Sequence, residues 1–306
     1  MDLQGMIDLQ LMMFLEIGLG WFLRRKNLIT EEGKKMLTDL VIDLILPCNI
    51  IQSFLIKLDK DILVKGFQIL VISVALQMFC TAISATCYNK VEKGKRTVLQ
   101  YATVCSNAGF LGNPVAEGLF GPIGLLYASV YLIPQRIVMW SAGVSYFTES
   151  PSKKEVLKKV LTHPCIIAVE AGLALMALQV TLPSFLTRTL GSISASTTPV
   201  TMLLIGAIMA GADLKTMVTK ITVIFSVIRL ALIPLAVFAG CLVFRADATV
   251  AGVAVILAAM PAGSTTAILA ARYHKDEEFA SKCVVLTTVL SMAAIPVWSA
   301  VALTCL

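Results

Sequence analysis

The chain has 306 residues, 58% hydrophobic and 14% charged, with a mean hydropathy of +0.86. Soluble domains average about 45–50% apolar and about 25% charged residues, so the composition excludes a soluble globular protein and indicates a polytopic membrane protein. The net charge of +6 does not mark a nucleic-acid partner, because the basic residues sit in short loops between apolar spans, as topology signals do.

The length accommodates about ten helices of ~20 residues joined by short loops. Span one runs from about Ile7 to Leu23 and stops at Arg24-Arg25-Lys26. It follows Met1–Gly5 without a basic leader or a small-residue cleavage site, so no cleavable signal is expected. Span two covers Met36–Phe54 around Pro47, span three Ile62–Cys87, and span four is interrupted. Span five runs from about Ile123 to Phe147, and a polar stretch with four lysines follows. Spans six to ten lie near Leu161–Leu178, Ile193–Ala212, Val218–Phe244, Thr249–Ala271 and Phe279–Leu303. The eight cysteines are scattered through the spans without a Cys-x-x-Cys and read as small packing residues.

Lys and Arg are distributed unevenly among the loops. Those after the odd-numbered spans hold 18 and those after the even-numbered spans five, with Arg136 and Arg229 left inside the membrane. The excess marks the first set as cytoplasmic. A multi-pass protein of the cell membrane is expected, with both termini outside.

Span four, QYATVCSNAGFLGNPVAEGLF from Gln100 to Phe120, is poor helix material. Asn107, Gly109, Gly112, Asn113 and Pro114 fall close together, and Pro removes a backbone donor while Gly weakens a helix interior. Asn113 has the chemistry of an N-cap and Pro114 that of a first helical residue, so a second half-helix is expected to begin at Pro114. AAMPAGSTTAI, from Ala258 to Ile268, is a second such stretch. The breaks are expected at about Gly109–Pro114 and Met260–Ser264.

Folding the chain at its linker pairs Pro47 with Pro199, Pro114 with Pro261 and Pro134 with Pro296. The expected organisation is a first repeat over 1–147, a cytoplasmic linker over 148–160 and a second repeat over 161–306. Five spans per half is odd, so the halves insert in opposite orientation, as in many secondary transporters. Two interrupted spans in matching positions mark a binding site where the broken helices cross. Half-helix N-termini offer unpaired N–H groups and partial positive charge, which suits an anion, especially a carboxylate. The candidate substrate-binding residues are Asn107, Gly112, Asn113, Pro114, Pro261, Gly263, Ser264 and Thr265; the alternative is that their polar groups serve the broken backbone. Arg136, Arg229 and Glu117 are the candidate intramembrane charges. Each Arg suits a structural ion pair or a substrate contact, and Glu117 suits a coupling proton or neutralisation of an Arg.

No metal or cofactor is expected, since His163 and His274 form no ligand cluster, and no GxSxG, HExxH or P-loop motif appears. Without a nucleophile–base set the chain is not expected to be an enzyme. The small-residue run Gly191–Ser196 in span seven permits close helix packing.

NAGFLGNPV in span four and MPAGSTTAILAARYHKD in span nine resemble the auxin efflux carrier family, and the resemblance covers essentially the whole chain. Asn107, Gly112 and Pro114 match its span-four motif, and Pro261, Gly263 and Tyr273 its span-nine motif. LILPCNI and Pro296 also fit. The resemblance implies ten helices in two inverted five-helix repeats and a scaffold of spans one, two, six and seven. It also implies a moving part of spans three to five and eight to ten, a homodimer, and alternating access on organic anions. Asn113 stands where plant members have an apolar residue, and their long cytoplasmic loop is here a short linker. The reading is an all-α membrane carrier of a small organic anion in the lipid bilayer. The alternatives are a sodium- or proton-coupled dicarboxylate (malonate-like) symporter and a passive anion channel.

Overall fold

A computed structural model describes residues 3–57, 59–139, 143, 145–147, 154, 158, 161–211 and 214–305. Most of the 148–160 linker lies outside the described residues. The helices, in chain order, are α1 Leu3–Arg25, α2 Glu31–Phe54, α3 Lys60–Thr86, α4 Lys93–Val104 and α5 Ala108–Val138. Then come α6 Pro164–Ala177, α7 Ser184–Ala210, α8 Lys220–Val243, α9 Ala248–Ala258, α10 Thr265–Arg272 and α11 Glu277–Cys305. Among the described residues, six helical stretches (α2, α3, α5, α7, α8 and α11) are long and apolar enough to cross a membrane, although α5 is two helices meeting at a kink at Gly121.

Burial along α3 shows what surrounds such a helix. Ser73, Gln77, Cys80 and Ser84 face the protein interior, while Phe67, Val71, Val74 and Met78 are exposed. Polar groups inside and large apolar groups outside invert the pattern of a soluble protein and suit a hydrocarbon surround. The protein is membrane-embedded.

Prolines shape the helices in a repeated way. Val41–Ile45, Ala108–Gly112 and Ile228–Leu232 are π-helical, each ending two residues before a proline: Pro47, Pro114 and Pro234. A proline has no N–H for the carbonyl four residues back, and the i→i−5 register takes up part of the mismatch. Ile233 N–H accordingly bonds Ile228 O. The carbonyl that Pro234 leaves unpaired belongs to Leu230, and the Trp298 indole donates to it at 2.8 Å.

The chain divides into two contact units, residues 1–67, 109–130 and 161–211 against 68–108, 131–160 and 212–306. Each draws on both halves of the sequence. The first holds α1, α2, α6 and α7, together with 109–130, which the family resemblance assigned to the moving part. In this first unit α1 lies directly on the second half of α7. A Cβ on Gly20 would stand 2.1 Å from Leu203 O, and one on Gly206 2.0 Å from Ile17 O. Backbone meets backbone there, and only Gly fits. By contrast, a Cβ on Gly191 would meet nothing within 4 Å, so the small-residue run that permits close packing has room at its one glycine. The second half of α2 packs on α6 and the first half of α7, with the Phe54 ring seated against Gly172.

In the second unit, α11 touches α4, α8, α9 and α10 and forms the common support of its neighbours. The 12 residues of α4 and 11 of α9 are too short to span a bilayer. At 1.5 Å per residue each reaches about 16–18 Å of a hydrocarbon core of about 30 Å. Both end inside the unit.

Candidate functional site: the crossing of two broken helices

α4 ends at Val104 and α9 at Ala258, and the extended residues that follow pair as an antiparallel bridge, Ser106 opposite Ala262. Asn107 N–H donates to Pro261 O at 2.8 Å and Gly263 N–H to Cys105 O at 2.9 Å. Breaking two helices inside a membrane strands backbone groups, and this two-bond bridge satisfies four of them. The span-nine break matches the expected Met260–Ser264. The span-four break does not: it lies at 105–107, and the chain is already helical, as a π segment, from Ala108. Asn113 is therefore not an N-cap and Pro114 does not begin the half-helix. Gly and Pro at 109–114 mark the π-to-α transition rather than the break. This half-helix ends at Gly121 (φ +68°), a left-handed backbone position natural to glycine, where the chain turns into span five.

Side chains clamp the bridge from three directions. Gln135 donates from Nε2 to Ser106 O at 2.9 Å and accepts from Ser106 Oγ at 2.8 Å. Thr287 Oγ1, on α11, accepts from Ala262 N–H at 3.2 Å. Arg229 donates from Nε to Met260 O (2.9 Å), from Nη1 to Thr103 O (3.4 Å) and from Nη2 to Ala258 O (3.3 Å). Arg229 is thus bonded to the ends of both half-helices. Its expected partners, a carboxylate or a substrate, are replaced by backbone carbonyls. Tyr101, in the last turn of α4, donates from its hydroxyl to Thr265 Oγ1 at 3.2 Å. Its ring meets Phe147 edge-on at 5.3 Å, and Phe147 stacks on Tyr273.

Five of the expected binding residues come together here: Asn107, Pro261, Gly263, Ser264 and Thr265. Asn107 and Pro261 supply backbone bonds. Gly263 allows the close approach, since a Cβ there would stand 3.2 Å from the carbonyl oxygens of Cys105 and Ser106. Ser264 and Thr265 open α10, whose first turn holds the Thr266 N–H to Gly263 O bond. The Asn107 side chain has no hydrogen-bonding partner among the described residues.

Gly112, Asn113, Pro114 and Glu117 belong to the first unit. Asn49 Nδ2 donates there to Glu117 Oε2 at 3.3 Å and to Ser194 Oγ at 2.9 Å. Glu117, expected to neutralise an Arg or carry a proton, is bonded to an amide. Asn113, one helical turn before it, is fully buried with neither amide atom bonded among the described residues. Arg136 is buried in the second unit.

The sequence matches the membrane transport protein family over residues 6–299. The chain belongs to that family. As a member it is a transporter, and the resemblance to auxin efflux carriers holds at family level. Its family is one of transporters and not of enzymes. It is 27% identical over 310 residues to an uncharacterized transporter of Methanothermobacter thermautotrophicus, covering 98% of this chain and 100% of that protein. An uncharacterized transporter of Methanocaldococcus jannaschii is 23% identical over 305 residues, covering 95% of this chain and 97% of its own.

Sequence reasoning missed Gln135, Thr287, Thr103 and Tyr101 in this family member. Gln135 had a signal, as an amide beside Pro134 in an apolar span. Thr287 had none, because threonines are common in membrane helices and bond their own helix, as Thr287 also does to Cys283 O.

Proposed function

We propose that the protein is a secondary carrier of a small organic anion, a carboxylate, bound at the helix crossing of the second unit and moved by alternating access. The observation that carries this is charge. Away from the first turns of α11, where Glu277, Glu278 and Lys282 lie, the apolar spans of that unit hold Arg136 and Arg229 and no Asp or Glu, while Glu16, Asp43, Glu117 and Glu170 fall in the first unit. At the crossing the Arg229 guanidinium offsets the negative ends of α4 and α9, each about half a charge. The positive N-terminus of α10, with Ser264 and Thr265, is then uncompensated. Asn107 brings to the same bridge an amide that is unpaired among the described residues. An anion suits this arrangement and a cation does not.

The same reading counts ten spans in two inverted repeats, with α4 and α9 as first halves of the broken fourth and ninth. It takes both termini as outside the cell membrane and the carrier as a homodimer.

The test is uptake of labelled mono- and dicarboxylates by liposomes carrying the purified protein. Asn107→Ala removes one hydrogen bond to a charged ligand, about 1.5–3 kcal/mol, and is expected to weaken affinity about tenfold to a hundredfold. Asn107→Asp sets a negative charge against the anion and is expected to be worse. Unchanged affinity and rate in Asn107→Asp would remove the anion from this site.

A further inference from the structure

Breaking the two helices frees particular carbonyls, and Arg229 collects them. Thr103 O, four residues before Asn107, would take the Asn107 N–H in a continuous helix, but that N–H goes to Pro261 O. Ala258 O would likewise take the Ala262 N–H, which goes to Thr287 Oγ1. Met260 O lies in the unwound segment. All three point at one guanidinium, at 2.9–3.4 Å. Unwound carbonyls and half-helix C-termini are also the groups with which transporters coordinate a coupling Na⁺. A planar guanidinium, with Nε, Nη1 and Nη2 fixed in a fork, can satisfy three separate carbonyls; an ammonium on a flexible stem cannot hold them so rigidly. Arg229 is 3% exposed and sits on the π segment ahead of Pro234, whose orphaned Leu230 carbonyl is held by Trp298. The segment carrying the guanidinium is thereby anchored independently of the crossing.

We infer that Arg229 is the resident cation of the crossing. Its guanidinium fills the position in which a bound metal cation would balance the two helix ends, and the carrier therefore binds its anion without sodium. Arg229 acts as a positioning residue, holding the bridge that presents Asn107 and α10. The sodium-independence of anion binding rests on the carrier reading; the resident-cation role does not.

The experiment measures thermal unfolding of the purified full chain in detergent, in sodium chloride and in choline chloride at equal ionic strength. Low, non-denaturing guanidinium chloride is the third arm. Wild type is expected to unfold at the same midpoint in sodium and choline. Arg229→Ala is expected to unfold several degrees lower and to regain part of the loss in guanidinium but not in choline. A sodium-specific stabilisation of wild type overturns the inference, as does a folded Arg229→Ala protein that ignores guanidinium. Should Arg229→Ala not fold, Arg229→Lys keeps the charge and loses the fork, and its midpoint is expected below that of wild type. A Lys variant as stable as wild type overturns the assignment. In liposomes, carboxylate uptake by wild type is expected to be equal in sodium and choline. Uptake that needs sodium refutes the inference, whereas no uptake of any carboxylate refutes the carrier reading and leaves the unfolding arms to decide the role of Arg229.

Discussion

Replacing Gln135 by Ala tests whether side chains hold the crossing together. Gln135 makes two bonds to one residue, Nε2 to Ser106 O at 2.9 Å and Oε1 to Ser106 Oγ at 2.8 Å. Ser106 and Gln135 are both buried, so water is poorly placed to replace the lost amide. Each buried bond contributes about 0.5–1.5 kcal/mol net, giving about 1–3 kcal/mol for the pair. Polar contacts between membrane helices average nearer 0.6 kcal/mol, which favours the lower half of that range. Opening of the bridge should then become about fivefold to thirtyfold more frequent. The Asn107 and Gly263 amides report it directly, because their hydrogen bonds are the bridge itself. Hydrogen exchange followed on peptides covering 105–109 and 261–265 is expected to accelerate by that factor in Gln135→Ala, with the ends of α11 unaffected. Gln135→Glu keeps the acceptor for Ser106 Oγ but turns a carboxylate oxygen toward Ser106 O, and is expected to open the bridge further than Ala does. A folded Gln135→Ala protein with unchanged exchange at both peptides would show that the backbone pairing alone holds the crossing.

Two further comparisons concern the first unit. Gly206→Ala drives a Cβ into Ile17 O and should destabilise by about 1–3 kcal/mol through overpacking, whereas Gly191→Ala meets open space and is expected to be neutral; equal melting midpoints for the two variants would refute the backbone contact between α1 and α7. Asn49→Leu strands the Glu117 carboxylate and the Ser194 hydroxyl and should lower stability by about 1–3 kcal/mol or more, while Glu117→Gln keeps an acceptor for Asn49 and is expected to stay within about 1 kcal/mol of wild type in thermal unfolding.

Much of the fold was legible because lipid leaves so few alternatives. Apolar runs of sufficient length marked the long apolar helices, and Pro and Gly marked one of the two breaks. Span nine was placed well because Pro261 and Gly263 lie inside the break itself. Span four was misplaced because its Pro114 does a different job. It follows a π segment, as Pro47 and Pro234 do, and the break upstream at Cys105–Asn107 contains neither Pro nor Gly. What opens that stretch is pairing with 261–263, a long-range interaction with no local signature. Arg229 shows the same gap between composition and geometry. Its position near the centre of span eight flagged it, but the sequence pointed to a carboxylate or a substrate as partner. Backbone carbonyls become partners only once two helices have been broken beside it.

The distribution of ionisable groups links this geometry to transport. An Arg inside a membrane is expensive, and the usual remedy is a neighbouring carboxylate, which cancels the charge. Here the carboxylates inside spans fall in the first unit, and Arg229 is stabilised by three neutral carbonyls instead. Carbonyls satisfy the donors of a guanidinium without neutralising it as a carboxylate would. The dipoles of α4 and α9 supply the opposing partial charge, and they exist only because both helices stop at the crossing. The break thus creates the acceptors that hold Arg229, and Arg229 compensates the ends that the break creates. Each feature is costly in lipid without the other. A carboxylate added beside them would pair with the guanidinium and draw it off the helix ends. That is a physical reason for the middles of this unit's spans to contain amides, hydroxyls and arginines but no acids.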